Sequence, residues 1–139
     1  MKNQEVLDLY TLIFDSVETT TATPVITIID GIKCTRLQYW KKRNLELLQK
    51  EFKAIIEALN DFKPAEMKAF ENTFQELKGT DREYAMPELE KQIKEFLALP
   101  AVVEVLAEES PLKFWKIKVD DLPTDLNNNY LSFIDWMIE

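Results

Sequence analysis

The chain has 139 residues and a net charge of −8, with no histidine, one cysteine (Cys34) and two glycines (Gly31 and Gly79). Histidine is the commonest proton-transfer and metal-binding side chain, so its absence argues against most enzyme classes. Two glycines cannot build a phosphate-cradling loop.

This length suits one domain, residues 1–139. Apolar residues make up 46% of the chain and aromatics 11%, which is globular rather than disordered composition. A lone cysteine cannot form an internal disulfide, so a reducing compartment fits. The opening MKNQEVLDLY lacks a charged segment followed by an unbroken apolar run, so no signal peptide is expected. No apolar stretch is long enough to span a membrane. The acidic pI argues against free nucleic acid as a direct partner. The charge is uneven: residues 33–53 sum to +5, which leaves −13 for the remainder.

Residues 4–17 read as a helix, because Val6, Leu9, Tyr10, Ile13 and Val17 recur at helical steps beside Leu7 and Phe14. Thr19 to Thr23 and Pro24 end it. The β-branched run Val25 to Ile29 predicts a strand closed by the turn dipeptide Asp30-Gly31, with Ile32 to Cys34 as a short return strand. The longest element is a helix from Thr35 to Phe62, with Leu37, Trp40, Leu48, Phe52, Ile55, Leu59 and Phe62 in period and Thr35 as N-cap. Pro64 stops it and opens a second helix marked by Met67, Phe70, Phe74 and Leu77, which Gly79 ends. The two helices are expected to form an antiparallel hairpin. A polar connection follows from Thr80 to Ala85. Pro87 then starts a helix carrying Leu89, Ile93, Phe96 and Leu97. Val102 to Leu106 and Leu112 to Val119 read as two strands; in the second, Trp115, Ile117 and Val119 alternate with lysines. Asp120-Asp121-Leu122-Pro123 closes that strand. A last helix from Asp125 to Ile138 presents Tyr130, Phe133, Ile134 and Met137. The expected fold class is therefore α+β, mainly helical, with a long helix or helical hairpin and a small antiparallel sheet.

Four features bear on chemistry. Arg36, Arg43 and Lys50 are seven residues apart and share one helix face, which suits gripping an acidic protein; the bland alternative is a solvated face paired with Glu46, Glu51 and Glu57. Asn44 falls where the period demands a core residue, so it either specifies register or a partner, or sits at the core's edge. Asp120 and Asp121, with Glu108 and Glu109, are carboxylates without a matching loop motif or an accompanying base, and a turn role outweighs a metal role. Cys34 lies beside Lys33 and Arg36 but has no histidine to activate it. No cofactor, metal or catalytic residue is therefore expected. Of the three tryptophans, Trp40, Trp115 and Trp136, an exposed one would mark a binding hot spot, and Trp136, near the end of the chain, is the expected choice.

The order of patterns resembles small uncharacterised proteins of tailed bacteriophages and prophages. The residues that carry it are Asp30-Gly31-Ile32-Lys33, the long helix RLQYWKKRNLELLQKEF, then KQIKEFLAL, VVEVL, KVDDLP and the closing DWMIE, over residues 28–139. The resemblance brings no chemistry to individual residues. It implies a non-enzymatic phage or prophage accessory protein that binds another protein, of the phage or the host, in the host cytoplasm or the virion, with a role in virion assembly as one setting. The alternative is an anti-defence inhibitor of a host nucleic-acid enzyme whose acidic surface imitates DNA.

Overall fold

The computed structural model describes residues 1–14, 25–126 and 128–139. Among them the chain forms helices α1 (Asn3–Phe14), α2 (Val25–Asp30), α3 (Thr35–Asn60), α4 (Ala65–Glu76), α5 (Thr80–Leu97), α6 (Pro100–Ala107) and α7 (Asn128–Ile134), with single 3-10 turns at Val119–Asp121 and Asp135–Met137. No sheet forms among the described residues: the only ladder contacts are isolated bridges, Lys2 with Glu109 and Ile117 with Ile138. The α+β expectation is thus corrected to a mainly helical fold. The expected helical residue Val17 and the break at Thr19 to Pro24 lie outside the described residues, and Tyr130 lies outside the described side chains.

The chain divides, within α3, into two compact units: Met1–Ala54 with Glu109–Glu139, and Ile55–Glu108. In the first unit, the run Val25 to Ile29 is helical, not extended. β-branching lowers helix propensity by only a few tenths of a kcal/mol per residue. Burial offsets that cost: Val25 and Ile29, four residues apart, face the core, and α2 packs on α1 and α7. The α2 C-terminus is also satisfied from outside. Gln38 Nε2 donates to the carbonyls of Ile29 and Ile32, both at 2.8 Å. A helix end leaves such carbonyls without intrahelical donors. Replacing this amide, Gln38→Ala, is expected to cost about 1–2 kcal/mol in chemical denaturation; a loss below a few tenths would show that water replaces it.

The core of this unit gathers Val25, Ile29, Ile32, Leu37, Ile117, Leu122, Ile134 and Met137. On α1, Val6 and Ile13 are fully buried, and the Tyr10 ring stacks on Phe52 of α3 with centroids 3.7 Å apart. Residues 112–119 form no strand. Only Ile117 of the expected buried face is inside, whereas Trp115 and Val119 are exposed. The segment runs extended along the closing turn: Ile117 N–H donates to Met137 C=O at 2.7 Å and Glu139 N–H donates to Ile117 C=O at 2.9 Å.

In the second unit, α4 starts after Pro64, which stands as its N-cap in extended conformation. Its C-cap is Leu77, not Gly79. Gly79 instead precedes α5 with φ of 60°, a left-handed conformation that glycine adopts without a Cβ penalty. The expected polar connection from Thr80 is the first part of α5, where Asp81 and Glu83 suit the positive end of a helix dipole. Pro87 lies inside α5 rather than at its start. The close pairing here is α4 with α5, where the hairpin was expected between the long helix and its successor. The expected strand Val102 to Leu106 belongs to α6, with Pro100 in its first turn, where a missing N–H costs nothing.

Candidate functional site

The basic stripe on α3 lies wholly in the first unit, and its three members have different surroundings. Arg36, nearest the start of the helix, pairs with the Asp121 carboxylate at 3.0 Å across an exposed surface. Asp121 sits in the 3-10 turn after Lys118, so the turn that the sequence predicted at Asp120-Asp121 serves to hold a carboxylate against the helix. Arg43 lies two turns further along. Its Nε donates to the Tyr39 hydroxyl at 3.2 Å, and its guanidinium rests 5.4 Å from the Tyr39 ring centroid. Lys50 is exposed and lines a shallow pocket of about 230 Å³ with Arg43, Glu46, Leu47 and Trp115.

Asn44 explains why Trp115 is there. It is fully buried. Its Nδ2 donates to the Trp115 carbonyl at 2.9 Å, and its Oδ1 accepts from the Trp115 N–H at 2.8 Å. The amide thus treats one residue of the irregular segment as a neighbouring strand would, satisfying both main-chain groups at once. A buried polar group paired in this way carries little penalty. Asn44 is neither a partner contact nor a frayed edge; it fixes the place of residue 115 on α3.

With its backbone clamped, Trp115 lays its indole on Trp40, with ring centroids 5.2 Å apart and planes 20° from parallel. Tyr39 meets Trp40 edge-on at 5.0 Å. Trp115 remains 52% exposed and Tyr39 51%. The exposed tryptophan is therefore Trp115 and not Trp136, which corrects the expectation from sequence. Trp136 is half-buried against the core, donates its Nε1 to the Phe133 carbonyl at 2.8 Å and meets Phe114 edge-on. The sequence signal for Trp115 was Asn44 itself, a polar residue at a core position, but nothing local connects it to a tryptophan 71 residues away.

A second pocket, of about 370 Å³, is lined by Arg36, Trp40, Lys116, Lys118, Asp121 and Glu139. Lys116 Nζ donates to the Trp136 carbonyl at 2.6 Å. The indole pair thus has basic side chains on both sides: Arg36, Lys116 and Lys118 around the pocket that Trp40 lines, and Arg43 and Lys50 around the one that Trp115 lines. Flat, rigid aromatic area with a cationic border is the composition of a binding hot spot for an acidic partner.

The other candidates are less equipped. Cys34 is half-buried and its thiol lies 3.7 Å from the Asp121 carbonyl. Among the described residues, no group of three or more Cys, Asp or Glu side chains comes together to hold a metal ion. No helix is long and apolar enough to cross a membrane among the described residues. No family model, curated protein or solved structure matches the chain.

Proposed function

We propose that this chain is a non-enzymatic accessory protein that binds an acidic segment of another protein through the Tyr39–Trp40–Trp115 face and its basic border. The observation that supports this is the exposed indole stack, held by a buried amide clamp and set between two cationic pockets. An indole already ordered by packing loses little conformational freedom when a partner lands on it. Arg43 and Lys50 then steer and orient acidic side chains around it. The phage or prophage setting is carried by the residue pattern of 28–139 alone, and two of the strands in that pattern are helices here.

The DNA-imitating alternative draws on the second unit, which has twelve acidic against six basic residues. Lys68, Lys78, Arg82, Lys91 and Lys94 interrupt that surface, so the aromatic face is the better supported binding surface.

The test is affinity capture of the partner, followed by titration with variants. Trp115→Ala is expected to weaken binding by about 30-fold or more, as hot-spot tryptophans do. Charge reversal at Arg43 and Lys50 should slow association and flatten its salt dependence. Arg36→Glu, which breaks an exposed ion pair, should change folding stability by at most about 1 kcal/mol. A partner that binds all these variants like the parent chain would overturn the proposal. So would tight, salt-sensitive binding of a single-stranded oligonucleotide in place of any protein.

A further inference from the structure

The second unit carries an apolar face that its own packing leaves uncovered. The side of α5 that bears Phe96, Gln92 and Leu99 lines a pocket with Pro64 and Met67, and Phe96 is buried there. Met86, Ile93 and Leu97 lie on another side and are exposed at 40%, 39% and 46%. At 3.6 residues per turn, the three fall within about 40° of one another. They make one continuous stripe about three turns long, on a helix whose other apolar face is already used. Such a stripe on a polar surface marks an interaction site.

The charges beside the stripe indicate what covers it. Glu90 and Lys94 flank the stripe on its same edge, are exposed, and make no ion pair within the chain among the described residues. The midpoint between Met86 and Leu97 and the midpoint between Glu90 and Lys94 coincide to within half a residue along the helix. A pattern that is symmetric about one point in both its apolar and its charged members is complementary to its own antiparallel copy. A two-fold axis there sets Met86 against Leu97 of the second copy and brings Ile93 beside its own mate. It also places each Glu90 next to Lys94 across the interface. This reciprocity, in which residue i meets j and j meets i, is the signature of an isologous contact. We infer that the α5 face formed by Met86, Ile93 and Leu97 is a two-fold dimer interface between two copies of this chain, with Glu90–Lys94 pairs fixing its antiparallel register.

Sedimentation equilibrium on the full chain over a wide concentration range tests the inference. The parent chain is expected to dimerise reversibly, and Ile93→Glu should weaken the dimer by about 100-fold, since it sets two like charges together near the axis. Because Ile93 is already exposed, circular dichroism of this variant should match that of the parent. Glu90→Lys alone places like charges across both symmetric contacts and should weaken the dimer by about tenfold. Combining Glu90→Lys with Lys94→Glu restores opposite charges and should return affinity to within about threefold of the parent. A parent chain that stays monomeric at about 1 mM, weaker than any specific association worth the name, overturns the inference. So does a dimer indifferent to Ile93→Glu, or a double charge variant no better than the single one. None of these outcomes bears on the Trp115 face, which belongs to the other unit.

Discussion

Asn44→Ala is expected to lower the stability of the first unit by about 2–4 kcal/mol, since orphaning a buried hydrogen-bonding group costs about 1–3 kcal/mol and this change orphans two. Both belong to Trp115: the N–H that donates to Oδ1 and the carbonyl that accepts from Nδ2. The helical period invites a leucine at this fully buried position. Asn44→Leu should nevertheless destabilise, because it fills the space and still leaves both main-chain groups without partners. Asn44→Asp separates the two bonds: it keeps the acceptor for the N–H but turns an oxygen toward the carbonyl and buries a charge, so it should cost at least as much as alanine. Chemical denaturation followed by tryptophan fluorescence reads the stability. The near-ultraviolet signal of the stacked indoles reads the local consequence and should weaken even under conditions where the variants stay folded. If Asn44→Leu proved as stable as the parent with that signal intact, the clamp would not be what positions Trp115.

Leu37→Ala should destabilise by a similar or larger amount, about 2–5 kcal/mol, the range for deleting a buried leucine side chain and leaving its cavity. Leu37 is fully buried two residues into α3, in the cluster that includes Val25 and Ile29 of α2 and Ile134 and Met137 near the chain's end. It therefore ties together segments that have little else to hold them: α2 has six residues and α7 seven, both too short to be stable as isolated helices. Leu12→Ala is the control. That side chain is 43% exposed, and its loss should stay within about 0.5 kcal/mol. Equal effects from the two leucines in a denaturant titration would mean that the cluster around Leu37 is not the cooperative core.

Much of the helical framework was legible because it is encoded locally. The period of Leu37, Leu48, Ile55 and Leu59 placed α3 within two residues of its observed end at Asn60, and Pro64 marked the junction with α4. The seven-residue spacing of Arg36, Arg43 and Lys50 put them on one face of that helix. The errors cluster where local signals are ambiguous. A five-residue apolar run has no period long enough to separate helix from strand. Val25 to Ile29 and Val102 to Leu106 both read as strands by composition. The first is helical because α1, α7 and the Gln38 amide receive it, and the second because Pro100 opens a helical turn ahead of it. Pro100 was a usable sequence signal that was read as a stop instead of a start.

By itself the sequence determined the long helix, its basic stripe, the absence of histidine chemistry and the acidic balance, since each depends on residue type or on spacing within one segment. Tertiary structure alone decided which tryptophan faces solvent and what Asn44 is for. Both depend on an amide in α3 meeting the backbone of a residue 71 positions later, and hydrogen bonds over that distance leave no periodic trace along the chain. Packing also decided that Met86, Ile93 and Leu97 lie outside while Phe96 lies inside, because a helix with apolar residues on two sides does not announce which side its neighbour will cover.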